Sequence, residues 1–398
     1  MGIRTYENFD VSIEPAGPQR YRARVTSGEA DDEVAVDLAM PFDDTTLENF
    51  LLRLDPGRAL VRSAGPSPAT LAAERLGTGL YTALFSGDVA DAWARARTRS
   101  WEADRGIRVR LRFAAAPELA ALPWELLRDP TQDTFLALSE RTPVVRHLSV
   151  NVPLRPLAVQ GPLRILAVLA SPGNLPTLDV EGEWGRLQEA VAAPRAAGRI
   201  VLDRLPQATV AGLAAWLRTH EVHVLHVVAH GEVDSGRGEG VVYLEDAAGQ
   251  AVAAGVDVLG PFVRDHDPLR MVVLNACRSA TGEPEDLFSG LAQGLVRQNV
   301  GAVVAMQFPI TDAAACWFAG TLYAALVAAQ PVDQAVTAAR KSLLVDHGVE
   351  WATPVLFLRA VDGVVFESLT AAEPDQTPVA EASVPMPPAV PTGPPTVS

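Results

Sequence analysis

Lysine is nearly absent from this chain: Lys341 is the single lysine, and arginine supplies the rest of the 33 basic residues. Acidic residues number 48, for a net charge of −15 and a pI near 4.9. So acidic a balance argues against nucleic acid as the main partner, because phosphate binding needs a basic face. An anionic membrane is disfavoured for the same reason. Cysteine is scarce too. Cys277 and Cys316 are the two, and neither sits in a CxxC or Cys/His ligand spacing, so neither a disulfide framework nor a metal site is expected. The first residues, Met-Gly-Ile-Arg-Thr-Tyr, lack an apolar signal core and put Tyr6 where myristoylation wants Ser or Thr. No segment offers eighteen uncharged apolar residues. A cytoplasmic protein in a reducing compartment is the expectation. The preference for Arg, Ala, Gly and Pro over Lys has the look of codon bias in a GC-rich bacterial genome.

What is present is a chain of 398 residues, 48% hydrophobic and 20% charged, with room for two domains and a core that needs no staples. Alternation at Phe9, Val11 and Ile13, and again at Tyr21, Ala23 and Val25, predicts a β-hairpin. Helical patterns cover 45–53, 68–84 and 89–104, a strand covers 107–113, and an apolar run covers 143–150. A Pro-punctuated stretch from Pro153 to Pro162 marks a boundary. The expected division is an α+β N-terminal region over 1–155, a main domain over 156–370 and a tail over 371–398. That tail carries eight prolines, three acids and no bases, so it is expected to be disordered.

Beyond Pro162 the pattern becomes regular. Strand-like runs at 163–170, 199–205, 222–229, 269–276, 300–308 and 353–359 alternate with amphipathic helices near 181–193, 209–220, 285–298, 312–329 and 332–345. This alternation predicts an α/β fold, a mostly parallel sheet with helices on both faces. One hairpin-like insertion, 240–253, interrupts it. Two of the runs end on reactive side chains: Val222-His-Val-Leu-His-Val-Val-Ala-His230-Gly231 and Met271-Val-Val-Leu-Asn-Ala-Cys277. Open α/β sheets build their sites at the carboxyl ends of strands, and a thiol beside an imidazole is the minimum for nucleophilic cysteine chemistry. Cys277 is then the nucleophile, His230 the proton donor to a leaving amine, and the backbone amides of Gly231 and Cys277 the oxyanion donors. The competing structural reading makes Cys277 an inert buried hydrophobe and His230 a hydrogen-bonded strand-end residue.

An ordered set of motifs resembles the CHAT family of caspase-like cysteine peptidases, related to separase. It comprises His230-Gly231 after an apolar strand, Asn275-Ala-Cys277-Arg-Ser-Ala280, Leu291-Ala-Gln-Gly-Leu-Val-Arg297, Val303-Val-Ala-Met-Gln-Phe-Pro-Ile-Thr-Asp312, Ala338-Ala-Arg-Lys341 and Trp351-Ala-Thr-Pro-Val-Leu-Phe357. Upstream, Leu122-Pro-Trp-Glu-Leu-Leu127 and Val144-Val-Arg-His147 resemble the segment preceding the core in short members. The resemblance implies a caspase-like three-layer sandwich, a His230–Cys277 dyad cleaving peptide bonds in a protein substrate, and control by a partner protein. No recognisable sensor or TPR array accompanies it here.

Specificity would come from an acid beside the dyad. Asp312 is the first choice, favouring a basic P1 residue, and its structural alternative is a role at a helix N-terminus with Thr311. Asp234, Glu245 and Asp246 on the insertion are rivals. No cofactor is expected: Gly236-Arg-Gly-Glu-Gly240 lacks the Lys and Ser/Thr of a phosphate loop. His226 is read as a core or dyad-supporting residue, Cys316 as packing, and Glu125 as half of a structural ion pair or cap between the domains. A different functional class stays open, a catalytically silent CHAT module acting as an interaction or signalling platform. An acyltransferase or amidase would need a Gly-x-Cys-x-Gly elbow that is missing.

Overall fold

The computed structural model describes residues 5–17, 20–28, 33–54, 67–150, 154–234, 239–278 and 289–367. The Pro-rich tail, most of the 236–240 loop and the side chains of Asp234 and Cys277 lie outside the described part.

The N-terminal region contributes β1 (Tyr6–Gly17), β2 (Arg20–Ser27), β3 (Glu33–Leu38), α1 (Asp44–Leu54), α2 (Pro68–Leu84), α3 (Gly87–Glu102), β4 (Gly106–Arg112), the short pair β5 (Arg128–Asp129) and β6 (Thr134–Phe135), and β7 (Val144–His147). The hairpin expected from the alternation is β1–β2, joined by a third strand, β3, that the alternation reading did not find. From residue 157 onward come β8 (Leu157–Ala158), β9 (Leu163–Leu169), α4 (Val180–Ala190), α5 (Ala192–Ala196), β10 (Ile200–Arg204), α6 (Val210–Thr219), β11 (Val224–Asp234), β12 (Glu239–Glu245), β13 (Ala251–Ala254) and α7 (Val256–Arg264). The chain closes with β14 (Met271–Arg278), α8 (Ser289–Arg297), β15 (Ala302–Met306), α9 (Asp312–Val327), α10 (Val332–Leu343), β16 (Pro354–Leu358) and β17 (Phe366–Glu367).

Among the described residues, thirteen strands form one sheet in the order β10-β9-β11-β14-β15-β16-β7-β4-β1-β2-β3, with the β12–β13 hairpin attached to β11. The ladders from β10 through β15 are parallel, as are those from β16 through β1. The two blocks run in opposite directions because β15 and β16 pair antiparallel. The fold is therefore mixed α/β, with a mostly parallel sheet flanked by helices.

Buried strands alternate their side chains between two cores. Along β11, Val224 and Val228 join Phe318, Leu322 and Val336 of α9 and α10 on one face. Leu225, Val227 and Ala229 join Leu213, Leu259, Leu291 and Leu295 of α6, α7 and α8 on the other. Over this block the molecule has three layers. Over β1, β2 and β4 it has two: Phe9, Val11, Val25 and Val109 pack beneath Leu76, Leu80 and Trp93, while Asp10, Arg108, Arg110 and Arg112 occupy the alternate positions on the opposite face.

Buried polar bonds join the two regions. Arg108 of β4 pairs with Asp333 of α10 at 2.6 Å, both side chains essentially fully buried, and also donates to the carbonyls of Val361 and Asp362. Gly363 is required beside them: its φ is +75°, and a Cβ would stand 2.4 Å from the Asp333 carboxylate. The ion pair expected of Glu125 is with Arg146 of β7, at 2.9 Å. Gln307, just past β15, donates to Glu125 and accepts from Arg146. No described helix is long and apolar enough to cross a membrane.

Candidate active site

β11 and β14 are β-branched, apolar runs buried on both faces, and they pair in parallel from Val224↔Met271 to Gly231↔Arg278. Equal offsets in the two runs make His230 the direct ladder partner of Cys277. The two positions share one face of the sheet, since partners across a parallel ladder alternate together. β11 does not stop at His230 as the sequence pattern suggested. Antiparallel pairing with β12, from His230↔Tyr243 to Asp234↔Glu239, carries the strand four residues further. Gly231 consequently sits within the ladder, between Val242 and Arg278.

His230 is 3% exposed, and its Nε2 lies 2.6 Å from the carbonyl oxygen of Pro176. A carbonyl can only accept, so Nε2 carries the proton and the lone pair of the neutral ring is on Nδ1. Nδ1 is buried and has no hydrogen-bond partner among the described residues. The imidazole is thus held by one nitrogen, with the basic one uncommitted.

Pro176 belongs to a Pro- and Gly-rich connection between β9 and α4, and the β12–β13 hairpin fixes this loop. Ser171 N–H donates to Glu245 at 3.0 Å, Gly173 N–H to the Gly249 carbonyl at 2.9 Å, and Ala251 N–H to Asn174 at 2.8 Å. The insertion that interrupts the α/β alternation therefore holds the loop that holds His230. Sequence reading missed Pro176, because a backbone carbonyl leaves no residue-type signature, and Asn174, whose side-chain oxygen accepts from Ala251 N–H, 77 residues away. The only hint was the Ser171-Pro-Gly-Asn-Leu-Pro176 turn composition at a strand's carboxyl end.

Of the proposed pocket acids, the three whose side chains are described, Asp312, Glu245 and Asp246, are all engaged. Asp312 opens α9, capped by Thr311, whose hydroxyl accepts from Ala314 N–H. Its carboxylate pairs with Arg186 of α4 at 2.9 Å, and the same guanidinium meets Glu183 at 2.8 Å and Asp179 at 3.6 Å. Three carboxylates thus surround one cation, beginning three residues beyond Pro176. Burial, reinforced by Asp312, raises the Glu183 pKa despite its bond to Arg186. Asp246 accepts from the N–H groups of Ala248 and Gln250, closing the hairpin turn in which Gly249 takes φ of +73°. Glu245 is the loop staple already described.

His226 lies deeper on the same face. It bonds Tyr323 at 2.7 Å, and burial pushes its pKa down to about 4, so it is a neutral core residue. The Cys316 thiol is 9% exposed, and burial together with Glu183 pushes its pKa up to about 12. Such a thiol is almost wholly protonated at neutral pH.

The CHAT domain family model matches residues 74–378. No curated protein matches the chain. Among solved structures, the Arg-specific cysteine proteinase gingipain R of Porphyromonas gingivalis is similar at 10% identity and a TM-score of 0.42, covering 71% of this chain and 69% of that one. The Saccharomyces cerevisiae separase–securin complex is similar at 10% identity and a TM-score of 0.46, covering 88% of this chain and 30% of the other. Caspase-1 from Spodoptera frugiperda gives 12% identity and a TM-score of 0.34, with 56% and 97% coverage. The family model spans well over half of the sequence, and the chain belongs to the CHAT domain family.

Proposed function

We propose that this chain is a cysteine endopeptidase in which Cys277 and His230 form the catalytic dyad. The observation that carries the reading is the ladder pairing of the two positions, combined with an imidazole whose Nε2–H is committed to Pro176 and whose Nδ1 is uncommitted. Nδ1 takes the thiol proton, and the Cys277 thiolate attacks the scissile carbonyl carbon. The backbone N–H groups of Gly231 and Cys277 meet the oxyanion. The imidazolium then protonates the leaving amine, and water hydrolyses the thioester. A protein or peptide is the substrate, a partner protein is the activator, and no cofactor is involved.

The acid cluster supports a basic P1 residue, because Asp179, Glu183 and Asp312 outnumber Arg186 next to the loop that holds His230. Asp312→Ala is expected to abolish the preference for Arg at P1 while leaving thiol alkylation unchanged. Retained Arg preference, read from cleavage of a peptide set varied at P1, removes Asp312 from the pocket.

Alkylation rates test the dyad directly. Iodoacetamide, followed by peptide mass analysis, is expected to label Cys277 far faster than Cys316, since a thiol with a pKa near 12 presents almost no thiolate at neutral pH. Equal, slow labelling of both would leave a catalytically silent module.

A further inference from the structure

Where the three-layer block gives way to the two-layer one, the layer formed by α6, α7 and α8 ends and a cavity of about 120 Å³ remains. Its walls include Arg112 and His147 at the carboxyl ends of β4 and β7, Gln293 and Arg297 of α8, and the apolar Phe113 and Phe357. β4 and β7 run opposite to β11 and β14, so this cavity opens on the sheet edge away from His230.

Among the described residues, no carboxylate lines it. Asp10, behind the wall, is shared by Arg110 and Arg112, so one acid answers two guanidinium groups. Arg297, exposed at the rim, adds a third cation. The cluster carries a surplus of two positive charges in a protein whose net charge is −15. Two side-chain atoms of its lining residues, Nε of Arg112 and Nδ1 of His147, are buried with no hydrogen-bond partner among the described residues. The His147 residue is 7% exposed. Buried polar atoms are ordinarily paired, so two orphans on residues of one small cavity point to a missing ligand. At about 30 Å³ per water, the space holds roughly four waters or one small polyatomic anion.

We propose that this cavity is a binding site for one phosphate-sized oxyanion, held by Arg112, Arg297 and His147. The group is either free phosphate or the terminal phosphate of a small molecule, and it binds remote from the dyad. His147 is kept neutral by burial and by Arg110 and Arg112, which lower its pKa to about 4 against the opposing pull of Asp10 and of a hydrogen bond to the Leu358 backbone. An anion seated against it reverses that balance.

Calorimetric titration of the full chain with inorganic phosphate, against chloride at matched ionic strength, tests the site. Saturable binding of one phosphate per chain is expected. Arg297→Ala, a change at an exposed position that leaves the core intact, is expected to weaken binding roughly tenfold, the usual loss for one charge-assisted hydrogen bond. His147→Gln is expected to weaken it as well. Absence of saturable binding to the wild type, or wild-type affinity in Arg297→Ala, overturns the proposal. Methyl phosphate binding as tightly as phosphate identifies a phosphorylated small molecule; binding of inorganic phosphate alone identifies the free ion.

Discussion

Replacing Cys277 by alanine is expected to abolish cleavage of a fluorogenic peptide library varied at P1, while His230→Gln lowers kcat/KM by about 10²- to 10⁴-fold. The asymmetry follows from the two roles. Without sulfur no thioester forms, whereas without the imidazole a residual fraction of thiolate can still attack. The pH profile separates the roles further. In wild type the rising limb reports the proton shared by thiol and imidazole, a property of the pair. In His230→Gln it should move toward the range of an isolated thiol, near 8.5. Cleavage that survives Cys277→Ala would falsify the dyad.

The second large effect concerns stability. Glu125 is completely buried, and burial alone would raise its pKa; Arg146 and then Arg340 outweigh that and hold it below the usual 4.5. Breaking a buried pair by removing one partner leaves an uncompensated charge, at about 3–5 kcal/mol. Glu125→Ala is therefore expected to lower the thermal midpoint by several degrees, and Glu125→Gln by less, because it keeps the hydrogen-bonding geometry. A carboxylate with a depressed folded pKa contributes fully above its unfolded value and loses that contribution as pH falls through the folded one. Wild-type stability should accordingly decline below about pH 4.5 more steeply than that of Glu125→Ala. Parallel acid limbs in denaturant titrations would contradict the assignment.

Much of this arrangement was legible in the residues. Buried parallel strands are written as continuous β-branched runs, so β9, β11, β14 and β15 could be placed, with His230 and Cys277 at the carboxyl ends of two of them; that the two are ladder partners came from the register. Helices α2 and α9 were read over 68–84 and 312–329; in the structure Ser67 and Thr311 cap them, and α9 is buried on most of its faces rather than on one stripe. α7 went unread because Pro261 lies inside it and Gly260 precedes it, both breakers in isolation, which packing against α8 overrides. β3 was lost among acidic residues. The fate of Asp312 was equally hidden: its partner Arg186 lies 126 residues away, a distance no local pattern spans.

The family match begins at residue 74, inside α2, whereas β1, which ends at Gly17, is hydrogen-bonded to β4 over seven register pairs. A polypeptide starting at the match would present β4 as an open sheet edge, a template for association with other chains. It would also lack Asp10, leaving Arg110, which is 6% exposed, with its charge unanswered. The unit that folds is therefore larger than the unit the family shares, and the opening hairpin serves the downstream half of the molecule as a seal.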